Sequence, residues 1–367
     1  MDMGLNEQQI QFQDSLQRYL RESLPVDTLR RFVDSGGAFD EPLWRGLVGL
    51  GLAGLLVPEE FGGSGLGMLD AVVAAEMLGG AAAPVPFPGS VAMAAQALRH
   101  SGSRMQQESW LPRVASGEAR IAVAFVMALS GQTGQGSVRL EGARLSGRID
   151  GVLEAMAATH LLIYLANGHA ALTQVNGRGV ALERHRRLDA TRATANIVLD
   201  GAEVQMLDAA SEPMVAAKRV LDTGRLMLAA DTLGAAQTML DRSVAFAKER
   251  MQFGRPIGSF QGVKYMCADM VTQLEPCRAL LWDAALVQGE FSSEARVLAL
   301  QAKAHVSDVS REVSRMAIEV HGGMGFTELL GLPYWFKRIA FNRQMLGNAE
   351  RCRLEAAQVQ GWAARAA

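Results

Sequence analysis

Residues 250–261, which read R-M-Q-F-G-R-P-I-G-S-F-Q, interrupt a long helical pattern in the second half of the chain. In residues 225–249, apolar side chains recur near the helical period, and the same pattern resumes after the stretch. Gly254, Pro256 and Gly258 fall at every second position, which the interior of a helix does not tolerate. The stretch therefore predicts two helices joined by a hairpin loop.

This loop carries a cation (Arg250), an amide (Gln252) and two aromatic rings (Phe253 and Phe260). A guanidinium forms paired hydrogen bonds with phosphate oxygens and also stacks on flat rings. The side chains thus suit an elongated anion with an aromatic end, such as the pyrophosphate and adenine of a dinucleotide. A well-packed turn without a ligand is the alternative interpretation.

The pattern R-x-Q-F-G-x-x-I-x-x-F-Q resembles the cofactor-binding hairpin of the acyl-CoA dehydrogenase family. In that family, the hairpin binds the FAD of a neighbouring subunit. The resemblance implies that the cofactor-binding residues here include Arg250, Gln252, Phe253, Ile257 and Phe260. It also implies FAD as the cofactor and an acyl-CoA as the substrate.

A second motif, V-H-G-G-M-G-F-T from Val320, resembles the family's Q-x-x-G-G-x-G-F, which also contributes to FAD bound mainly by another subunit. Gly322 and Gly323 permit close approach of the backbone, and Glu319 stands at the glutamine position. We expect these three residues to contact the cofactor. A carboxylate only accepts hydrogen bonds, so the change to Glu319 removes a donor.

Composition limits the other functions. The 367 residues are 49% hydrophobic and 20% charged with a net charge of −2, which indicates a globular protein of two or three domains. That charge gives no electrostatic reason to expect a nucleic-acid partner. The three cysteines are widely spaced and predict neither a disulfide framework nor a metal site. No signal peptide or membrane-spanning run is visible, so we expect a cytoplasmic protein without a membrane partner.

The order of patterns along the chain predicts three domains. Helices are expected at 6–24 and 41–50, with Asp70 capping a helix at 71–78, and the glycine-rich E-E-F-G-G-S-G-L-G from Glu59 lies between them. An extended hinge is expected at Pro84, Pro86 and Pro88. Short strand-like runs follow, at 121–126, 137–140, 160–165, 170–175 and 195–198.

The order helix, glycine-rich loop, helix resembles the N-terminal domain of the family. The predicted fold class is α+β multidomain. An N-terminal α-helical domain (1–118) precedes a middle antiparallel β domain (119–210) and a C-terminal four-helix-bundle domain (211–367).

The family's reaction removes a proton alpha to a thioester while a hydride leaves the beta carbon for the flavin. The resemblance therefore implies a flavin cradle and a carboxylate base, and both are eroded here. The family's T-E-P, G-S-D and W-I-T are not matched in this chain, although Ser130, Thr133 and Ser137 could donate hydrogen bonds. No catalytic residue is assigned.

Family members place the base in one of two positions, near the C-terminus or just before an arginine on the hairpin's first helix. Leu346 and Gly224 occupy these positions here. Asp231 and Glu328 are the nearest substitutes, and Asp231 is better interpreted as a polar residue in a helix contact.

Motifs that serve a neighbour's flavin are thus kept, whereas motifs that serve the chain's own flavin are lost. This resembles the smaller subunits of heteromeric bacterial acyl-CoA dehydrogenases that act on steroid CoA thioesters. The resemblance implies a second acyl-CoA dehydrogenase subunit in an α2β2 assembly, with electron-transferring flavoprotein as acceptor. A self-sufficient homomer with an unusual base and a flavin-free scaffold remain alternatives.

Overall fold

The computed structural model describes residues 4–126, 138–185, 188–207, 209–289 and 292–363. Helices, then strands, then helices follow one another along the chain, and the predicted α+β class is confirmed. The change from helix to strand falls between Ala115 and Ile121, and the change back falls between Leu207 and Pro213. The domain limits given above stay a prediction.

Six α-helices of the described chain precede the strands. They are Glu7–Ser23 (α1), Val26–Ser35 (α2), Glu41–Gly49 (α3), Met68–Gly80 (α4), Ala94–Ser101 (α5) and Arg104–Ala115 (α6). The α1 helix begins with a capping box, in which Asn6 and Gln9 each accept a hydrogen bond from the other's backbone N–H. The sequence did not predict α2, which begins directly after Pro25.

Two local predictions were partly wrong in this region. Asp70 lies inside α4, and its carboxylate reaches back to accept a hydrogen bond from the N–H of Gly67 at 2.9 Å. It does so because the glycine that precedes the helix has no side chain of its own for capping. The expected hinge is also shorter, because a π-helical turn begins at Pro88 and continues into α5.

The middle segment forms two four-stranded sheets. Its strands are Ile121–Phe125 (β1), Val138–Glu141 (β2), Arg144–Leu153 (β3), His160–Tyr164 (β4), Ala170–Gln174 (β5), Val180–Arg184 (β6), Thr194–Glu203 (β7) and Gln205–Leu207 (β8). The sheet orders are β1-β4-β5-β8 and β2-β3-β7-β6. Among the described strands, β1 and β4 pair in parallel and the other pairs in these sheets are antiparallel. The sequence missed β3 and β6, whose charged and glycine residues weaken the strand pattern, and it also missed the three-residue β8.

Five α-helices are described in the C-terminal segment. They are Pro213–Glu249 (α7), Gln261–Leu286 (α8), Ser293–His321 (α9), Leu332–Gln344 (α10) and Ala349–Val359 (α11). Within the described ranges, no helix is long and apolar enough to cross a membrane.

The first and last helical segments share one apolar core. Buried side chains from α3, such as Leu47, and from α7, such as Leu233, belong to the same cluster. The α4 and α7 helices touch backbone to backbone, since a Cβ on Gly234 would lie 1.8 Å from the carbonyl oxygen of Glu76. A second apolar cluster, which includes Leu145, Ile163 and Ile197, packs the two sheets together.

Candidate functional site

The hairpin predicted from residues 250–261 is present and begins where α7 ends. A two-residue strand, Met251–Gln252 (β9), pairs antiparallel with Arg255–Pro256 (β10). The turn residues Phe253 and Gly254 have φ values of 51° and 76°. A two-residue hairpin with positive φ at both positions favours Asn-Gly, so a phenylalanine in the first position is strained.

The ring of Phe253 is 93% exposed. A large apolar side chain held in a strained backbone and left in water gains nothing from the fold of its own chain. The Phe253 ring meets the Phe260 ring edge-on, with 6.1 Å between the ring centroids. The Arg255 guanidinium lies 4.1 Å from the centroid of the Phe260 ring. This cluster of rings and cations favours a surface that another molecule covers.

Arg250 is held at the start of the hairpin by its backbone. Its N–H donates to the carbonyl of Phe246 and its carbonyl accepts from the N–H of Ile257, both at 2.8 Å. Over the residues that the structure describes, no carboxylate forms an ion pair with Arg250. Its exposed guanidinium therefore keeps its donors for a ligand. The amide of Gln252 donates to the carbonyl of Met251 at 2.7 Å.

The glycine motif forms a 3₁₀ turn, Gly322–Phe326, at the end of α9. Gly322 has a φ of 56°, and a Cβ on either Gly322 or Gly323 would meet nothing within 4 Å. These glycines thus leave a bare backbone surface instead of fitting tightly against a neighbour. The exposed Glu319 lines an open groove of about 520 Å³ beside this turn, together with Phe326 and Glu328.

The structure joins the two motifs through one ring contact. Phe246 stacks on His321 with 4.5 Å between the ring centroids and an interplanar angle of 26°. The carbonyl of Phe246 accepts from Arg250, and Gly322 directly follows His321. Burial lowers the pKa of His321, so the stacked ring stays neutral at pH 7. No sequence motif pointed to this contact.

Gly224 and Leu346 lie side by side. A Cβ on Gly224 would come within 2.6 Å of Leu346 Cδ1 and within 2.6 Å of Met93 Sδ. The two alternative base positions of the sequence resemblance are therefore one place in the fold, and apolar side chains fill it. The sequence predicted the loss of the base at each position but not their contact.

A cavity beside Leu346 has a volume of about 30 Å³ and is lined also by Gly89, Met93, Phe125 and Gly151. Small-molecule sites measure roughly 300–1,000 Å³. Over the described residues, the cavity beside Leu346 is therefore smaller than a site for a flavin ring or an acyl chain. The predicted donors Ser130, Thr133 and Ser137 lie outside the described residues.

The turn that carries Leu346 is held by a buried ion network that sequence reasoning missed. Arg225 Nε donates to the carbonyl of Leu346 at 2.8 Å, and its Nη atoms pair with Asp222 at 2.8 Å and Glu355 at 2.7 Å. Arg296 also pairs with Asp222 and Glu355. The position of Leu346 is thus fixed by charges as well as by packing.

Asp231 belongs to a second buried network. Its carboxylate accepts from Arg192 and Arg338, each at 2.7 Å, and from Asn342 at 2.6 Å. Burial alone would raise the pKa of Asp231, but the two guanidiniums outweigh burial and hold the pKa below its ordinary value. A carboxylate whose oxygens are engaged in this way is a poor proton acceptor, which supports its interpretation as a structural residue.

The same network connects all three segments. Arg192 also pairs with Glu154 at 2.8 Å, and the second oxygen of Glu154 accepts from the N–H of Gly89 at 2.8 Å. Arg338 donates to the carbonyl of Ala83 at 3.1 Å. Burial raises the pKa of Glu154 to about 7.

Glu328, the other substitute base considered above, is exposed beside the glycine turn, and its backbone carbonyl accepts from Arg30.

Two family models match the chain. The model for the N-terminal domain of acyl-CoA dehydrogenase matches residues 6–118, and the model for the C-terminal domain matches residues 214–360. The acyl-CoA dehydrogenase IpdE2 of Mycolicibacterium smegmatis is 29% identical over 322 residues, which cover 88% of this chain and 88% of that protein.

Solved structures also align with nearly the whole chain. A chain of the ChsE4–ChsE5 complex from Mycobacterium tuberculosis aligns with a TM-score of 0.88 at 26% identity and covers 100% of both chains. A chain of a variant of the Tcur3481–Tcur3483 steroid ACAD aligns with a TM-score of 0.86 at 29% identity, over 97% of this chain and 98% of that chain.

The fold and these matches define a FAD-dependent oxidoreductase that acts on acyl-CoA. The chain belongs to the acyl-CoA dehydrogenase family. The family predicted from the hairpin is thereby confirmed. The roles of the individual residues predicted to bind FAD stay a prediction.

Proposed function

We propose that this chain is the base-lacking subunit of a hetero-oligomeric acyl-CoA dehydrogenase. The observation that carries the proposal is the contact of Gly224 with Leu346 and Met93, which fills the place of the base with apolar side chains. A homomeric enzyme needs a base and an open acyl site in every chain. This chain has no carboxylate at the family's positions, and the described cavity beside them is small.

In this proposal, the chain contacts an FAD molecule that is bound mainly by its partner subunit. The guanidinium of Arg250 pairs with the FAD pyrophosphate, Phe253 and Phe260 cover the adenine end, and the backbone at Gly322 and Gly323 approaches the cofactor closely. Gln252, Ile257 and Glu319 line the same surface. The exposed ring of Phe253, its strained backbone, and an Arg250 guanidinium without an ion pair in the described chain support these roles. The small cavity at Leu346 supports the partner, rather than this chain, as the holder of the flavin ring.

The chemistry that FAD supplies in this family is acceptance of the hydride from the beta carbon of the acyl thioester. The partner, a second acyl-CoA dehydrogenase chain in an α2β2 assembly, provides the base and the acyl site. Electron-transferring flavoprotein is the acceptor in this proposal. The similarity to a chain of the steroid ACAD supports a steroid-derived acyl-CoA as the substrate class.

Co-expression tests this assignment. The chain is purified alone, and then together with an acyl-CoA dehydrogenase chain from its genomic neighbourhood that retains the glutamate base. We expect visible flavin absorbance and acyl-CoA dehydrogenation only for the pair. Flavin and activity in the chain alone would establish a homomer with an unusual base. A colourless pair would establish a flavin-free scaffold.

A further inference from the structure

A second cavity lies apart from the hairpin, the glycine turn and the cavity beside Leu346. It has a volume of about 420 Å³ and opens between the turn that joins α1 to α2, the C-terminal half of α4, and parts of α7 and α10. Its volume falls within the range of small-molecule sites, roughly 300–1,000 Å³. None of its lining residues belongs to the cofactor motifs.

The floor of this cavity is made where α4 crosses α7. The glycines at the crossing bring the two backbones into contact. The carbonyl of Gly80 accepts from Thr238 Oγ1 and from the indole N–H of Trp335, both at 2.8 Å. The facing wall is apolar and comes from the α1–α2 region, with Leu20, Leu24 and Leu29. The indole and the leucines are nearly fully buried, so a ligand would contact only the small part of each that reaches the cavity.

One half-buried cation faces the cavity. The Arg242 guanidinium lies 4.4 Å from the centroid of the Trp335 ring, and its Nη1 donates to the carbonyl of Leu330 at 3.0 Å. In the part of the chain that the structure covers, no carboxylate forms an ion pair with Arg242. A guanidinium has five N–H donors in a planar fork that matches a carboxylate. Burial lowers the pKa of Arg242, and a bound anion would offset that burial.

The cavity wall also holds an unsatisfied buried acid. Glu76 is 3% exposed, and its Oε1 accepts from Arg278 at 3.0 Å. Its Oε2 is buried without a hydrogen-bond partner among the described residues. Buried polar atoms of this kind are uncommon and call for an additional polar group in the site. The missing group is a hydrogen-bond donor, which an ordered water in the cavity can supply beside a bound ligand.

The charges around the cavity restrict the anion. Arg242 and the exposed Arg21 are its cations, while Glu76 and the exposed Asp241 are its acids. Asp241 accepts from Gln237 at 2.9 Å. The two carboxylates would repel a dianion such as phosphate about twice as strongly as a monoanion, and a single carboxylate needs only one guanidinium.

We propose that this cavity binds a monocarboxylic acid with a compact apolar body. The carboxylate pairs with Arg242, and the apolar body lies between Trp335 and the leucines of the α1–α2 region. The occupied cavity would connect the N-terminal helices to α7 and α10. The site is independent of FAD and of the subunit assignment.

Calorimetric titration with 4-phenylbutyrate tests the proposal, using the full chain in the assembly in which it purifies. The neutral analogue 4-phenylbutan-1-ol is titrated beside it. We expect the acid to bind more tightly than the alcohol and to raise the Tm. Arg242→Gln should weaken the acid about tenfold or more, as expected for a charge-assisted hydrogen bond, and leave the alcohol unchanged.

Two variants complete the design. Arg311→Gln removes an exposed arginine that pairs with Glu312 on α9, outside the cavity, and should bind the acid like wild type. Ala81→Leu fills the cavity from the end of α4 without removing charge and should abolish binding of both probes. If Arg242→Gln does not fold, Ala81→Leu tests by itself whether the probes bind in this cavity.

Binding should persist in Arg250→Ala, which separates this cavity from the cofactor surface. The absence of binding by wild type would overturn the proposal. Equal binding of the acid by wild type and by Ala81→Leu would also overturn it.

Discussion

Leu346 Cδ1 lies where the side chain of residue 224 would begin, 2.6 Å from the position of a Cβ on Gly224. A side chain at one position therefore excludes a side chain at the other. Leu346 has a φ of 57°, and the Arg225 guanidinium holds its carbonyl, so the turn cannot swing away easily. In the proposed function, packing fills the position that the base holds in the family, and no acid stands there.

Restoring a glutamate should not restore activity. Gly224→Glu forces a large side chain against Leu346 and Met93, and overpacking of this kind typically costs about 1–3 kcal/mol. Leu346→Glu buries an unpaired carboxylate, which is also destabilising. We expect a lower Tm for both variants and no gain in acyl-CoA dehydrogenation with an artificial electron acceptor. An increase in turnover by either variant of the chain alone would establish a homomeric enzyme.

Arg250→Ala should release FAD from the assembled enzyme without unfolding it. A charge-assisted contact with phosphate is worth about 1.5–3 kcal/mol, and Arg250 has no structural ion pair to lose in the described chain. Arg250→Lys should rescue poorly because lysine lacks the planar fork. Flavin absorbance after dialysis is the measurement, and Arg311→Ala is the control. Wild-type retention by Arg250→Ala would show that the hairpin does not hold the cofactor.

Phe253→Asn should separate stability from cofactor binding. Asn-Gly is the preferred pair for this turn, so relief of the strained φ should stabilise the chain by about 1 kcal/mol. Loss of the exposed ring should at the same time weaken flavin retention in the complex. Thermal unfolding and dialysis measure the two effects. A variant that keeps both flavin and Tm unchanged would contradict the role given to this ring.

Asp231→Asn should destabilise the fold strongly, because it leaves the buried guanidiniums of Arg192 and Arg338 short of an anion. Breaking a buried ion pair typically costs about 3–5 kcal/mol. Glu328→Gln is the matched control on the surface, and its turnover in the complex should stay within about tenfold of wild type, less than the loss expected for a base. A folded Asp231→Asn complex with normal Tm and several hundred-fold lower turnover would identify Asp231 as the base.

Lys303 should make stability depend on alkaline pH. Burial lowers the pKa of this ammonium to about 8, and its Nζ donates to Asn342 O at 2.6 Å and Ser307 Oγ at 3.3 Å, both neutral acceptors. The folded pKa lies below the unfolded value of about 10.4. The charged lysine therefore opposes folding below pH 8, and this penalty fades as pH rises toward the unfolded pKa.

The comparison is with Lys303→Met, which cannot titrate. The Tm of wild type should rise relative to that of Lys303→Met between about pH 8 and pH 10.4. Parallel Tm curves over this range would show that Lys303 keeps its ordinary pKa.

The sequence by itself determined the family and the order of helices, strands and helices. The family was identified by the resemblance of residues 250–261 and of the glycine motif from Val320. The order follows from local information, because Gly254, Pro256 and Gly258 favour a loop and the apolar period on either side favours helices. The absence of a carboxylate at Gly224 and Leu346, where family members carry the base, could also be predicted, because residue types are read directly from the sequence. Strands β3 and β6 could not, because polar residues within them weaken the alternation.

Only the tertiary structure decided which of these residues meet. Gly224 and Leu346 are separated by more than a hundred residues of chain, and their contact depends on how α7 packs against the turn after α10. Phe246 and His321 join the cofactor motifs by the same kind of long-range packing. The buried pairs of Arg225 with Glu355 and of Arg338 with Asp231 exist because their partners come from other helices. Local sequence determines which stretches form helices, strands or loops, whereas the neighbours of each side chain are determined by the packing of the whole chain.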